Sequence, residues 1–282
     1  MIRRQRTVSR TLKIVVGVLI AFWSLAPIYW GVVVSLSTPR GIQSVPPQLV
    51  PSPLTVDNYV KLFTQGARSS GNYSTAMLNS IIEAGGATLL TVVIALPAAY
   101  ALARIKFRGA GFVLSLLLVL IAMPVYLVLI PLFQTAGNLG LIDTHLILIL
   151  IYASGVVPFA ILILRSHIAG LPPSLEEAAR LDGAGTFAVL TRIIGPLVAP
   201  GIVAAAVFAF LTSWGQYLVP VVFANSAEIQ PLTVLIPKFS TEFSQDLGLQ
   251  AAAGIVALIP PVILVVVLQR YLISGLISGS SR

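Results

Sequence analysis

The chain has 282 residues, 57% of them hydrophobic and only 9% charged, with a mean hydropathy of +0.98 and a formal net charge of +8. A soluble domain carries about 25% charged residues, so this composition excludes one and specifies an integral membrane protein. Cysteine is absent, which excludes a disulfide framework, a thiolate metal site and a cysteine nucleophile.

Six apolar segments approach the roughly 20 residues that a helix needs to cross a bilayer. They lie at Ile14–Leu36, Ile81–Leu102, Phe112–Phe133, Leu146–Leu164, Leu197–Phe223 and Ala251–Leu268. The expected fold is an all-α membrane bundle. A basic stretch, 1–13, precedes the first span at 14–36. That span is too long for a signal-peptide core and lacks a small-residue cleavage site, so it is read as a retained helix. The connection 37–80 is the longest, with turn-forming Pro46, Pro47, Pro51 and Pro53. Its Asn72-Tyr73-Ser74 sequon is a chance-level match and carries no weight. The core of the bundle runs over 81–275, and 276–282 forms a short tail. Pro97, Pro124, Pro158, Pro200, Pro220, Pro260 and Pro261 punctuate the spans, as membrane helices tolerate when neighbours satisfy the freed backbone groups.

The basic residues orient this bundle. Thirteen of the seventeen lie on one side: Arg3, Arg4, Arg6, Arg10 and Lys13, then Arg104, Lys106 and Arg108, then Arg165, Arg180 and Arg192, then Arg270 and Arg282. Arg40, Lys61, Arg68 and Lys238 lie on the other. The positive-inside rule makes the thirteen-charge side cytoplasmic, with both termini inside.

The connection between spans four and five, 167–196, is the most informative segment. Leu171-Pro172-Pro173 ends the incoming helix. Ser174 and Glu177 stand in the S-x-x-E relation of a capping box, which predicts a short helix from Leu175. Glu176 precedes Arg180 by four, a pair worth a few tenths of a kcal/mol. Leu175, Ala178, Ala179 and Asp182 share one face, and two alanines there admit a partner backbone closely. Gly183 and Gly185 stop this helix, and Thr186 is placed to cap a second. An interfacial connector is the competing reading of these local features.

A longer pattern decides between them. Glu177-Ala178-Ala179, Gly183, Ile193 and Pro196 fall on the motif E-A-A-x3-G-x9-I-x-L-P, with Gly195 in place of its leucine. The chain therefore resembles the permease subunits of ABC importers. The likeness extends to the sugar-importing class that includes the maltose-type permeases, through Leu54-Thr55, Asn58-Tyr59, Asn79-Ser80, the run Ala98 to Arg104, Phe107-Arg108-Gly109, Pro131-Leu132-Phe133, Leu139 to Thr144, Gln269-Arg270-Tyr271 and Gly275-Leu276. It is most similar to the smaller six-helix permease of the heterodimeric pair. The resemblance implies a type I ABC importer permease fold in a bacterial inner membrane. It implies three partners beside membrane lipid: a second permease subunit, an ATPase dimer and an extracytoplasmic sugar-binding protein, and no nucleic acid. It also implies that 167–196 is a coupling loop seated in a cleft of the ATPase. Glu177 would make a charged contact there, Ala178 and Ala179 would permit close seating, Asp182 and Gly183 would set the turn, and Pro196 would start the next span rigidly. ATP and Mg would be bound by the partner ATPase and no cofactor by this chain, which would be a non-catalytic subunit.

The omissions agree with that assignment. No G-x-x-x-x-G-K-[ST] phosphate loop and no H-E-x-x-H occurs. His145 and His167 lie at opposite faces and are read as boundary residues, and Glu83 is read as reaching the headgroups from the outer end of span two. An ion-coupled secondary transporter would carry several intramembrane relays, and a membrane hydrolase would need converging catalytic groups. A permease for a non-sugar solute stays open. For the substrate path, Thr212 to Tyr217 interrupts span five with polar and aromatic groups, which nominates Trp214, Gln216 and Tyr217, together with Asn79 and Tyr126. Related permeases commonly show asparagine where Gly215 stands. Trp23 and Trp30 are read as lipid-facing or interfacial.

Overall fold

In the computed structural model of the chain, residues 2–64, 72–123, 125–239 and 246–279 are described, with side chains from residue 12 to residue 271 apart from those at 125 and 126. Among the described residues every regular element is helical, and extended segments meet only in a bridge between Ser37 and Leu54. Leu12–Ser35, Tyr73–Arg104, His145–Ala169 and Leu247–Tyr271 are long and apolar enough to cross a membrane. A fifth crossing is a broken one, Thr186–Leu197 followed by Ala199–Trp214 at 82°.

Three spans differ from their expected form. The one placed at Phe112–Phe133 is interrupted: a helix covers Ala110–Ala122, and a 3-10 turn, Val125–Val128, leads into Leu129–Asn138. Thirteen residues reach only about 20 Å, less than the hydrocarbon thickness of about 30 Å. The break has a local cause, since Met123 precedes a proline and is extended. The span placed at Leu197–Phe223 is shorter, Ala199–Trp214, with a separate helix at Leu218–Phe223. The last span turns at Leu258, where Leu247–Ala257 gives way to Ile259–Gly279 just before the Pro260-Pro261 pair. In addition, the first helix begins at Ile2, so the basic segment 1–13 is largely helical. The second helix begins at Tyr73, well before Ile81.

One compact unit comprises residues 1–73 and 235–259. Its first helix exposes apolar side chains along most of its length, Trp23 and Trp30 among them, as a lipid-facing helix does. Near its end, Gly31 packs so closely on the Leu247–Ala257 helix that a Cβ would lie 3.3 Å from Ile255 Cδ1. The segment after it is fixed by polar side chains. The buried Asn58 amide donates to the carbonyls of Ser35 and Ser37, at 2.9 and 3.1 Å. The Tyr73 hydroxyl donates to the Ala253 carbonyl at 2.8 Å.

The second unit comprises residues 74–234 and 260–282. Its centre is the His145–Ala169 helix, packed between Tyr73–Arg104 and Ala199–Trp214 at glycine contacts. A Cβ on Gly86 would approach Ile149 Cδ1 to 2.6 Å, and one on Gly201 would approach the His167 ring to 2.7 Å. Small residues at such crossings let helix backbones approach, which is how membrane helices gain packing energy without a hydrophobic driving force. Two apolar clusters result. One joins Ala99, Tyr100, Leu164, Ile168, Ile194 and Val198. The other joins Ala87, Leu148, Tyr152, Val219 and Phe223.

Candidate functional site

The 167–196 connection is a helix, a tight turn and a second helical stretch, as expected, but its helical phase differs from the expected one. The first helix runs Ser174–Leu181 with Pro173 at its cap and no side-chain capping bond. The capping box of Ser174 and Glu177 is therefore not formed: Ser174 already sits inside the first turn, where its hydroxyl cannot act as N-cap. Thr186 likewise begins the second helix, with Gly185 at the cap.

This phase turns Glu176 and Ala179 inward. Glu176, 6% exposed, accepts from Arg104 Nε on one carboxylate oxygen and from the Tyr100 hydroxyl, at 2.9 Å, on the other. Arg104 also donates through Nη2 to the Leu171 carbonyl at 2.8 Å. Arg180 does not take up the expected i,i+4 pairing; its Nη2 donates to the Tyr100 hydroxyl at 3.4 Å. Glu177, Ala178 and Asp182 face outward, so the face expected to hold Leu175, Ala178, Ala179 and Asp182 is divided, with Ala179 buried against the bundle.

Gly183 closes the helix in a Schellman arrangement. Its own N–H bonds the Arg180 carbonyl at 3.0 Å, and the Ala184 N–H bonds the Ala179 carbonyl at 2.9 Å. The glycine has φ +84, a left-handed conformation that favours residues without Cβ. Beside this turn two large apolar side chains stand in the open, Leu181 at 89% and Phe187 at 79% exposure. Exposed apolar groups next to Glu177 and Asp182 form a surface suited to a protein partner.

Behind that surface Val189, Leu190, Ile194 and Val198 are buried. Val189–Ile194 forms a π-helical stretch, and the Gly195 N–H bonds back five residues to the Leu190 carbonyl. A Cβ on Gly195 would lie 3.1 Å from that oxygen, which gives a physical reason for glycine where the motif has leucine. Pro196 falls in the short helix Gly195–Leu197, so the span it was expected to open starts at Ala199, after the bend.

The candidate substrate-path residues separate. A cavity of about 320 Å³ is edged by Tyr152, Ser154, Thr212 and Gln216, with Leu120 and Met123 on its apolar side. Trp214 instead stacks on Phe210 at 5.4 Å, and Tyr217 is half exposed and does not line the cavity. Asn79 is buried and donates its amide to the carbonyls of Glu228 and Gln230, at 2.8 and 3.1 Å, so it fixes a loop and does not present a free group to a cavity. The side chain of Tyr126 lies outside the described residues. Gly215 ends the Ala199–Trp214 helix, with ordinary room for a Cβ.

Glu83 does not reach the headgroups. It is 1% exposed, and its Oε1 lies 3.3 Å from His145 Nδ1, so His145 is no plain boundary residue. Its Oε2 has no hydrogen-bond partner. No group of three metal-ligating side chains occurs among the described residues.

Comparison with known proteins identifies the family. Residues 87–278 match the binding-protein-dependent transport system inner membrane component. The chain is 32% identical over 257 residues to the diacetylchitobiose uptake system permease protein DasC of Streptomyces coelicolor, covering 91% of each chain. It is 32% identical over 270 residues to the trehalose transport system permease protein SugB of Mycobacterium tuberculosis, covering 95% of this chain and 96% of that one. In fold it is similar to a chain of a bacterial ABC transporter involved in the import of the acidic polysaccharide alginate, with a TM-score of 0.81, 22% identity and coverage of 95% and 98%. With a bundle of apolar helices and relatives along nearly its whole length, the chain belongs to the family of binding-protein-dependent transport system inner membrane components.

Proposed function

We propose that this chain is the permease subunit of an ATP-driven importer that passes a di- or oligosaccharide, or a related carbohydrate, into the cell. It works beside a second permease subunit. An extracytoplasmic binding protein delivers the sugar, and a separate ATPase dimer holds ATP and Mg. The chain itself performs no catalysis. The 167–196 loop and both termini face the cytoplasm, in keeping with the thirteen basic residues on that side.

The observation that carries this reading is the two-sided character of the loop. Glu177, Ala178, Leu181, Asp182 and Phe187 are exposed, while Glu176, Ala179, Val189 and Ile194 are buried beneath them. A partner gripping the outer side has no slack between its grip and the helices, so its closure is delivered as rigid-body movement. The sugar reading is supported by the names of the relatives and by the cavity, whose volume and few convergent polar groups suit a small polar ligand.

The test uses the transporter complex recovered with a tagged copy of the chain. Leu181→Cys, the sole cysteine in that variant, should cross-link to the ATPase. Glu177→Ala and Gly183→Pro should lower transport-coupled ATP hydrolysis at least several-fold while membrane insertion stays intact. Normal transport by both variants, with no cross-link, would overturn the coupling role.

A further inference from the structure

The docking reading concerns the outer side of the loop. Its inner side carries a polar connection that the E-A-A motif does not include. Glu176 lies one position before the motif glutamate, yet it is the buried one. Its carboxylate bridges Arg104, the last residue of the Tyr73–Arg104 helix, and Tyr100, one turn earlier. Arg104 reaches past it to the Leu171 carbonyl, on the chain just before the loop helix, and Arg180 on that helix reaches back to Tyr100. Four side chains thus tie both ends of the short helix to a single turn of a membrane-spanning one.

The rest of the loop attaches differently. Val189, Leu190, Ile194 and Val198 join the buried apolar cluster that also holds Ala95, Ala99, Ile161 and Leu164. Such contacts are non-directional and resist sliding weakly. Charge-assisted hydrogen bonds fix both distance and angle, and a buried pair loses heavily when one partner leaves.

We infer that Glu176 is a positioning residue: through Arg104 and Tyr100 it locks the docking helix to the Tyr73–Arg104 helix, so that the two move as one body during transport. The inference rests on the docking reading for its role in transport, but the lock is a property of the chain itself and is measurable without a partner.

The absence of cysteine allows two spin labels to be placed cleanly, at Leu181→Cys on the docking helix and at Leu89→Cys, an exposed position on the long helix. Their distance distribution is measured by pulsed electron spin resonance on the full chain in lipid nanodiscs. It is measured again on the recovered complex, before and after trapping with ATP, Mg and vanadate. With Glu176 present the distribution should be narrow and unmoved by trapping. Glu176→Gln should widen it at least twofold, Tyr100→Phe by less, and Glu176→Asp, which keeps the charge, should bring most of the narrowness back. In the complex, Glu176→Gln should retain the ATPase yet transport at least tenfold more slowly for the same ATP consumption. A distribution as narrow with Gln as with Glu would overturn the inference, and so would Asp being as broad as Gln. An ATPase that never associates with the unaltered chain would sink the docking reading instead, leaving the partner-free comparison to decide the lock.

Discussion

The Tyr73–Arg104 helix makes a polar attachment near each end, and the two differ in kind. Towards its last turn, Arg104 and Tyr100 donate to a carboxylate brought in by another element, and both oxygens of Glu176 are used. Towards its first turns, the helix contributes its own carboxylate. There Glu83 meets His145 through one oxygen, the Tyr152 hydroxyl stands beside the carboxylate, and Oε2 makes no close hydrogen bond. Both carboxylates are buried. At the first site each carboxylate oxygen has a close donor, and at the second only one does. A fully satisfied buried network specifies one geometry, whereas a half-satisfied one leaves its members free to rearrange. The carboxylate of Glu176 is therefore the more closely determined of the two, while at the opposite end of the helix Tyr73, Asn79 and Ser80 supply the close hydrogen bonds that Glu83 does not.

The largest effect should come from removing the central donor at the Glu176 site. Arg104→Leu leaves Glu176 buried without its charge partner, a change that costs about 3–5 kcal/mol where it has been measured in other proteins. Thermal unfolding of the detergent-purified chain should show a correspondingly large drop in Tm. A drop no larger than that of an exposed substitution such as Lys106→Leu would mean that the network adds nothing.

Packing sharpens the same contrast. A methyl group on Gly201 would enter the His167 ring at 2.7 Å from Cγ, whereas one on Gly86 would meet the far end of a flexible side chain, Ile149 Cδ1. The His167 ring is rigid and is held by a 3.0 Å contact between Nδ1 and the Ile163 carbonyl. Gly201→Ala should cost about 1–3 kcal/mol, the range for overpacking a tight site, and Gly86→Ala distinctly less. The same unfolding measurement compares them. Equal losses would argue that the two helix crossings are equally stiff.

A smaller effect is expected of Glu83→Gln. Oε2 of Glu83 makes no close hydrogen bond, so an amide can keep an acceptor towards His145 and turn its NH2 to the other side. The expected change is under about 1 kcal/mol, the scale of one net hydrogen bond. A loss as large as that of Arg104→Leu would show that the Glu83 site is as tightly determined as the other.

These differences bear on what the sequence revealed. The position of the 167–196 loop was legible because its signals are local: Pro172-Pro173 stops one helix, and Gly183 supplies the left-handed turn. The inward face of the loop helix was not legible, because its phase is set by Arg104, 72 residues away. The apparent capping box displaced the predicted start by one residue, and that hid Glu176 behind its neighbour. Burial of Glu83 did leave a trace. Ala76, Ser80, Ala84, Ala87, Thr91, Ala95 and Ala99 form a small-residue stripe at helical spacing, and Asn79 and Glu83 lie on its flank. A residue beside that stripe belongs inside the bundle, as the burial of Asn79 and Glu83 shows. The π-helical stretch had no comparable signal beyond the replacement of the motif leucine by Gly195.

The least destructive test of a buried or half-buried carboxylate in this chain uses pH. Asp143 lies just before the His145–Ala169 helix, in a left-handed conformation at φ +62, which Asp and Asn tolerate better than most residues. Its carboxylate accepts from the N–H groups of Asn225 and Ser226, both at 2.9 Å. Burial works to raise its pKa, but the backbone N–H and hydroxyl of Ser226 and the N–H of Asn225 outweigh it and hold the group below the usual carboxylate value. A depressed folded pKa has a definite consequence by linkage. The stability Asp143 contributes is complete above its unfolded pKa of about 3.9, and it is lost as pH falls through the lower folded value. Asp143→Asn accommodates the backbone and keeps an acceptor but cannot titrate. The stability difference between the native chain and this variant should therefore be constant from pH 7 down to about 5 and shrink as the pH falls further below the unfolded pKa. Because every other acidic group is common to both proteins, the difference isolates this one carboxylate. A gap that stayed constant down to pH 3 would mean that its hold on the 225–226 turn adds no stability. A gap that widened would reverse the sign of the coupling between its charge and the fold.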